Sequence, residues 1–192
     1  MSISFERLKE QLEKAKTLLL SQQYEEGFWW YTLEANESIG AEFIFLLHYL
    51  GIQERYSEIQ EGLIRRIVGQ QTEEGSWTLF SGGPGDLSTT VECYLAIRLA
   101  GRGMDDPVLV KARKFILSRG GVLKSRVFTK IHLALFGWLP WESCPDMPVS
   151  FIQFPTSLPF NIYEFSSWAR ACIVPLLIVL QKKRNLKMGI EE

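Results

Sequence analysis

The chain has 192 residues, of which 46% are hydrophobic and 22% charged, and its formal net charge is −1. This is the length and composition of one ordinary globular domain with a hydrophobic core. Because basic and acidic residues are balanced and interspersed, the composition argues against a nucleic-acid-binding surface. The three cysteines, Cys93, Cys144 and Cys172, form no C-x-x-C pair. We therefore expect neither a disulfide framework nor a zinc ribbon, and we expect a reducing compartment.

The N-terminal segment, "MSISFERLKEQLEKAKTLLL", is charged and amphipathic and lacks the apolar run and cleavage site of a signal peptide. We therefore expect a cytoplasmic protein. The most apolar run, residues 169–180, is shorter than the roughly 20 residues that a membrane-spanning helix needs. The sequence predicts no spanning helix and leaves association with a membrane surface open.

One short motif occurs twice, 48 residues apart, as Gln, three residues, Gly, one residue and Trp. The copies consist of Gln23, Gly27 and Trp29, and of Gln71, Gly75 and Trp77. A degenerate third copy falls at Arg119. Each copy follows an amphipathic helical pattern and precedes a more apolar one, so the repeating unit is predicted to be a helix pair. We predict that the motif is structural and joins one helix end to the next helix start.

These helix pairs indicate an all-α fold of the α/α-toroid type, with polar first helices outside and apolar second helices inside. The whole chain, residues 1–192, is predicted to be one partial toroid domain. Its predicted parts are repeats over about 1–51, 52–101 and 102–137, an aromatic and proline-rich connection over 138–165, and a final helix over 166–184.

The second helix of each pair ends near a glycine, a residue suited to the left-handed position that closes a helix. These glycines are Gly51, Gly101 and Gly137. The residues nine positions before them are Glu42, Glu92 and Phe128. A carboxylate inside an apolar helix is unfavourable unless it is paired. The two glutamates are therefore the first candidates for a role beyond packing.

The repeated motifs resemble those of the triterpene cyclases, and the similarity continues along the chain. It extends through "GGPGDLSTTVE", "SRVFTK", "ALFGWLPWE" and "PFNIYEFSSWARACIVPLLIV", which are residues 82–92, 125–130, 134–142 and 159–179. These collinear segments resemble the N-terminal third of the bacterial squalene–hopene cyclases.

The resemblance implies a cavity between two α/α domains, where a polyene folds and aromatic faces stabilise carbocations. Trp168, Phe128 and Glu42 match positions that line this cavity. Glu92 and Arg126 match members of a polar network that orders the water ending the reaction. From the residues alone, a buried ion pair for Glu92 and Arg126 and ordinary core packing for the two aromatic residues remain open.

The family begins its reaction with an aspartic acid in a D-x-D-D motif, and this sequence contains no such motif. We therefore expect the chain to be inactive alone. The resemblance further implies squalene or a related polyprenyl substrate, no cofactor, and a possible C-terminal cyclase half carrying D-x-D-D. It also implies peripheral contact with the inner face of the cell membrane.

Two positions depart from the family pattern. His132 stands where many relatives have an aromatic residue, and Gly40 stands where many have an acid. His132 and His48 have no second ligand at metal-binding spacing along the sequence. Each is therefore predicted to be a satisfied histidine in the core or at its rim, and no metal site is predicted.

Two hypotheses about function remain. In the first, the chain is the N-terminal portion of a squalene–hopene-type cyclase, truncated or split, and would show a large exposed apolar face. In the second, it is a non-catalytic α/α repeat module that binds an isoprenoid or a protein, and it would be a stable monomer without that face. Retention of Trp168, Phe128, Glu42 and Glu92 favours the first hypothesis.

Overall fold

The computed structural model describes residues 4–31 and 33–186, and the ends of the predicted domain at residues 1 and 192 lie outside this range. Its α-helices are α1 Phe5–Ser21, α2 Glu37–Leu50, α3 Ser57–Gly69, α4 Leu87–Leu99, α5 Pro107–Ser118, α6 Val127–Leu135 and α7 Ser167–Lys182. The predicted all-α class is confirmed. No helix among the described residues has both the length and the hydropathy that crossing a membrane requires.

Two very short strands, β1 Trp77–Thr78 and β2 Gly85–Asp86, pair antiparallel. Trp77 lies opposite Asp86, and Thr78 lies opposite Gly85. The sequence patterns did not predict this hairpin, because two-residue strands are too short to show an alternating pattern. The pairing matters for the site, since it fixes Asp86 at the position immediately before α4.

The chain divides into two compact units at residue 34. The first unit contains α1, which is capped by the Ser4 side chain and has no buried residue, and the first copy of the repeated motif. In this copy the Gln23 amide donates a hydrogen bond to the Gly27 carbonyl at 2.7 Å. The Trp29 indole N–H donates to the Leu19 carbonyl in α1, also at 2.7 Å.

The second unit contains the second copy, which repeats these two bonds. The Gln71 amide donates to the Gly75 carbonyl at 3.1 Å, and the buried Trp77 indole donates to the Ile67 carbonyl in α3 at 2.6 Å. Gln71 makes one further bond, to the Val108 carbonyl in the first turn of α5, at 2.9 Å. The second copy therefore connects the end of one helix to the start of another.

Gly75 is the turn residue of this second copy, and its φ is +85°. A Cβ atom here would lie 2.7 Å from backbone atoms of Lys111 in α5. Glycine is needed for both reasons, because other residues disfavour positive φ and none could fit against this backbone.

The core of the second unit is organised around α4, which contacts α2, α3, α5 and α6. Eleven of its thirteen residues are buried, so this helix does not have separate apolar and polar faces. The glycines after α2, α4 and α6 all have positive φ: Gly51 at +67°, Gly101 at +88° and Gly137 at +76°. The predicted helix-closing conformation is confirmed at all three.

Candidate functional site

A polar cluster lies where the first turns of α4 and α6 meet. Asp86 caps α4, and its Oδ1 atom accepts hydrogen bonds from the backbone N–H and the hydroxyl of Thr89, both at 2.8 Å. Arg126, the residue before α6, donates its backbone N–H to the Ser88 hydroxyl at 2.9 Å. These bonds fasten the two helix starts together and place the Arg126 side chain beside α4.

The Arg126 guanidinium lies between two carboxylates. Its Nη2 atom is 3.5 Å from Asp86 Oδ1 and 3.6 Å from Glu92 Oε2. Glu92 is only 3% exposed, and its other oxygen accepts a hydrogen bond of 2.5 Å from the Thr129 hydroxyl of α6. Glu92 is therefore held by one cation and one hydroxyl that both come from the start of α6.

Glu42, Glu92 and His132 converge from α2, α4 and α6. One carboxylate oxygen from each glutamate and one imidazole nitrogen lie within 4.8 Å of one another. His132 Nδ1 and Glu92 Oε2 are both buried, and neither has a hydrogen-bond partner among the described residues. The prediction that His132 is a satisfied histidine is therefore wrong for its Nδ1 atom, whereas the prediction that no metal is bound stays a prediction. The neighbours of His132 come from other helices, so spacing along the sequence could not reveal them.

Burial raises the pKa of Glu92 to about 7. The Thr129 hydrogen bond and the Arg126 charge oppose this rise, while the nearby carboxylates of Glu42 and Asp86 add to it. Both forms of the Glu92 carboxyl are consequently populated near neutral pH. A group with this property can hold or release a proton without a strong external acid or base.

The other two members of the cluster are also shifted by burial. Desolvation raises the pKa of Glu42, and the Arg126 charge partly offsets this rise. Desolvation lowers the pKa of His132 to about 4. The imidazole is therefore neutral at physiological pH and keeps a lone pair on one ring nitrogen.

A pocket of about 240 Å³ opens beside this cluster. Two members of the cluster, Glu42 and His132, line this pocket. The remaining wall is aromatic and aliphatic and consists of Phe45, Leu46, Tyr49, Leu135 and Phe136. Glu42, His132 and the Tyr49 hydroxyl are thus the polar groups of an otherwise apolar wall, as in sites that orient an apolar ligand.

The structure places the predicted site residues in two different surroundings. It brings Glu42, Glu92 and Arg126 into the polar cluster. It leaves the side chains of Phe128 and Trp168 exposed, at 52% and 78%. Their assignment as cavity-lining residues stays a prediction.

Sequence reasoning missed Asp86, Thr129 and the contribution of His132. The pattern "GDLSTT" contains a usable signal for Asp86, because an aspartate followed by serine and threonine is typical of a helix cap. The other histidine, His48, donates a hydrogen bond to Gln60 at 2.9 Å. The prediction of a satisfied histidine is right for this residue.

Comparison with known proteins identifies the family. Residues 12–191 match the family described as the squalene-hopene cyclase N-terminal domain. The chain is 43% identical to a dammaradiene synthase of Dryopteris crassirhizoma over 185 residues, which are 96% of this chain. It is 42% identical over 172 residues, 90% of this chain, to a squalene–hopene cyclase of Alicyclobacillus acidocaldarius. A squalene–hopene cyclase of Zymomonas mobilis is 43% identical over 168 residues, 88% of this chain.

The matched regions are only a part of these relatives. They cover 27% of the Dryopteris protein, 27% of the Alicyclobacillus protein and 25% of the Zymomonas protein. The chain thus spans about a quarter of the length of the curated relatives it matches. It belongs to the squalene–hopene cyclase family, to whose N-terminal domain it corresponds.

Proposed function

We propose that the chain forms part of the apolar cavity wall of a squalene–hopene-type cyclase, in which squalene undergoes proton-initiated polycyclisation. The observation that carries this proposal is an exposed apolar stripe on α2, formed by Ile39, Phe43, Leu46 and Leu50. Their spacing of four, three and four residues places them on one face of the helix. A contiguous apolar face of this kind indicates a surface that another element or a ligand covers.

The α2 stripe adjoins the pocket, because Leu46 belongs to both. A second depression of about 290 Å³ shares Leu135 with the pocket and is bounded by Ile178 of α7 and by the charged Lys182 and Arg184. The exposed surface thus continues from α2 past α6 to α7, where charged side chains join its apolar part. Outside the matched region, the relatives contain about three times as much sequence again. This additional sequence would provide the helices that close the surface into a cavity.

Within the complete cavity, each predicted residue has a chemical role. Phe128 and Trp168 would present aromatic faces to carbocations, which are attracted by the negative charge above a ring. Glu92 and Arg126 would orient the water that ends the reaction, and Glu42 would line the same end of the cavity. The near-neutral pKa of Glu92 suits a group that accepts a proton from such a water.

The chain alone would be inactive, because it contains no D-x-D-D motif. Protonating an alkene requires an unusually strong acid in a dry, preorganised pocket. Glu92 has a pKa of about 7 and is far too weak an acid for this step. The polypeptide that supplies D-x-D-D would complete a full α/α toroid with this chain, at the inner face of the cell membrane, where apolar substrate is available.

A reconstitution assay tests the proposal. The purified chain is mixed with the separately expressed remainder of the Alicyclobacillus relative, which carries the D-x-D-D motif of the family, and squalene products are identified by mass spectrometry. We expect cyclised product from the mixture and none from either polypeptide alone. A mixture that forms a complex by light scattering and still yields no product would contradict the proposal.

The variant Trp168→Ala tests the proposed aromatic wall in the same mixture. The matched control is Trp30→Ala, because Trp30 is 76% exposed and Trp168 is 78% exposed. A lost cation–π interaction of about 0.5–2 kcal/mol corresponds to a rate roughly 2- to 30-fold lower. We expect this decrease and an altered product distribution for Trp168→Ala only. Equal effects of the two variants would show that Trp168 does not line the cavity.

A second candidate function is a non-catalytic module that binds an isoprenoid. It is favoured by a separate pocket of about 400 Å³ that lies wholly within the second unit. This pocket is lined mainly by apolar residues, including Val91, Tyr94, Ile116, Leu133 and Trp138. Binding of squalene by the chain alone, with an unchanged affinity in Trp168→Ala, would favour this candidate over the cavity wall.

A further inference from the structure

The Glu42, Glu92 and His132 cluster has the composition of a metal site that the family assignment does not provide. Three helices contribute one ligand-type side chain each, and the three nearest ligand atoms lie within 4.8 Å of one another. Zinc binds carboxylate oxygen and imidazole nitrogen at about 2.0–2.2 Å in tetrahedral geometry, so two ligands of one ion are about 3.4 Å apart. The ligand atoms of the three side chains would therefore have to approach one another by up to about 1.4 Å, through side-chain rotation, to bind an ion.

Two atoms of this cluster lack a hydrogen-bond partner among the described residues, Glu92 Oε2 and His132 Nδ1. Glu92 Oε2 faces the Arg126 guanidinium at 3.6 Å, beyond hydrogen-bond distance. A buried polar atom without a hydrogen-bond partner is unfavourable, and a bound metal ion would satisfy this oxygen and this nitrogen at once.

The net charge around the cluster is negative, which favours binding of a divalent cation. The facing carboxylates are Glu42, Glu92 and Asp86, and the facing cation is Arg126. When all three acids are ionised, the group carries two more negative than positive charges. One divalent ion would balance this excess, whereas Arg126 alone does not.

The surroundings also match those of a bound ion. The Thr129 hydroxyl donates to Glu92 Oε1 and fixes the orientation of the carboxylate, as outer groups do in metal sites. Glu42 and His132 line the pocket of about 240 Å³, which gives an ion a path of entry. Zinc sites with three protein ligands keep a fourth coordination position for water, and here this water would lie in the same pocket.

We propose that Glu42, Glu92 and His132 together bind one divalent transition-metal ion of the zinc class. Imidazole and carboxylate donors suit Zn²⁺ and Co²⁺, and the absence of thiolate from the set disfavours softer ions. This inference does not depend on the proposed cyclase function, because it concerns binding by the isolated chain.

The test is a titration of the full chain, freed of metal by a chelator, at pH 8. Zn²⁺ binding is measured by isothermal titration calorimetry, and Co²⁺ binding by visible absorption, which reports the type of ligand. We expect one ion per chain and no thiolate-to-cobalt charge-transfer band. Circular dichroism verifies that each variant below is folded.

The chain contains two histidines, which provide a matched pair of variants. His132→Phe removes the proposed ligand and introduces an aromatic residue, and we expect at least about tenfold weaker binding, because loss of a mere outer-shell partner already weakens binding about 10- to 100-fold. His48→Gln removes the histidine that bonds Gln60 and is expected to leave binding unchanged. Glu42→Gln, at a partly exposed position, gives the second ligand variant should His132→Phe fail to fold.

Two results would overturn the proposal. One is the absence of Zn²⁺ and Co²⁺ binding by the folded wild-type chain. The other is binding that persists unchanged in both His132→Phe and Glu42→Gln, or that shows a thiolate band and therefore belongs to Cys93, Cys144 or Cys172. Loss of binding in His132→Phe with retention in His48→Gln would establish the site.

Discussion

Gln71 donates two hydrogen bonds that connect the turn of the second motif to the first turn of α5, and Gln71→Ala removes both. Its amide reaches the Gly75 carbonyl at 3.1 Å and the Val108 carbonyl at 2.9 Å. A typical hydrogen bond contributes about 0.5–1.5 kcal/mol to the free energy of unfolding, so the pair contributes about 1–3 kcal/mol. Because Gly75 is buried, water cannot fully replace the lost donor.

The repeat itself supplies the control, Gln23→Ala. Gln23 occupies the equivalent position in the first motif but makes one such bond, to Gly27, at an exposed turn. Water can replace this donor, and we expect a loss of about 0.5 kcal/mol or less.

Urea unfolding followed by circular dichroism measures the difference between the two variants. With a denaturant slope of about 2 kcal/mol per molar, a loss of about 2 kcal/mol lowers the urea midpoint by about 1 M. The midpoint of Gln23→Ala should fall by about 0.25 M or less. If the two variants have the same midpoint, the hydrogen bond from Gln71 to α5 does not contribute to stability.

Two further predictions use the same urea titration. Thr129→Val leaves the buried Glu92 carboxyl without its hydroxyl donor and should lower the free energy of unfolding by about 1–3 kcal/mol. The control Thr78→Val, which loses a local bond to Phe80 at an exposed turn, should lower it by less, and equal losses would contradict this account. Burial lowers the pKa of His48 and the Gln60 hydrogen bond partly offsets this, so the unfolded chain binds more protons as the pH falls through about 6.5. The stability contribution of neutral His48 is therefore complete above that pH and is lost below it. His48→Gln should remove only the His48 part of the change in stability between pH 8 and 5.5. His132 acts in the same direction as His48, whereas Glu92 and Glu42, whose pKa values are raised by burial, act in the opposite direction. A pH dependence identical to that of the wild type would contradict the assignment to His48.

The sequence predicted the features of this fold that depend on local signals. Helix pairs follow from the periodicity of apolar residues, and the closing conformations of Gly51, Gly101 and Gly137 follow from the ability of glycine to adopt positive φ. The family also followed from the sequence, because several motifs occur in one order along most of the chain. The match over residues 12–191 confirms it.

The composition of the polar cluster could not be predicted in the same way. Counting nine residues back from the closing glycine gave the height of Phe128 along α6, but height does not specify the direction in which a side chain points. In the structure Thr129 and His132, one and four residues later, lie against the glutamates, and Phe128 is exposed. His132 and Glu92 are 40 residues apart in the sequence, so only the packing of α6 against α4 brings them together.

A single-chain chimera tests whether this chain forms the wall of a cyclase cavity. Residues 12–186 of this chain would replace the matching region of the Alicyclobacillus squalene–hopene cyclase, to which the chain is 42% identical. One polypeptide then contains both the proposed cavity wall and the D-x-D-D acid, so association of two parts is not required. We expect the chimera to cyclise squalene and Trp168→Ala within it to change the products. A folded chimera that forms no cyclised product would contradict the claim that this chain forms the wall of a cyclase cavity.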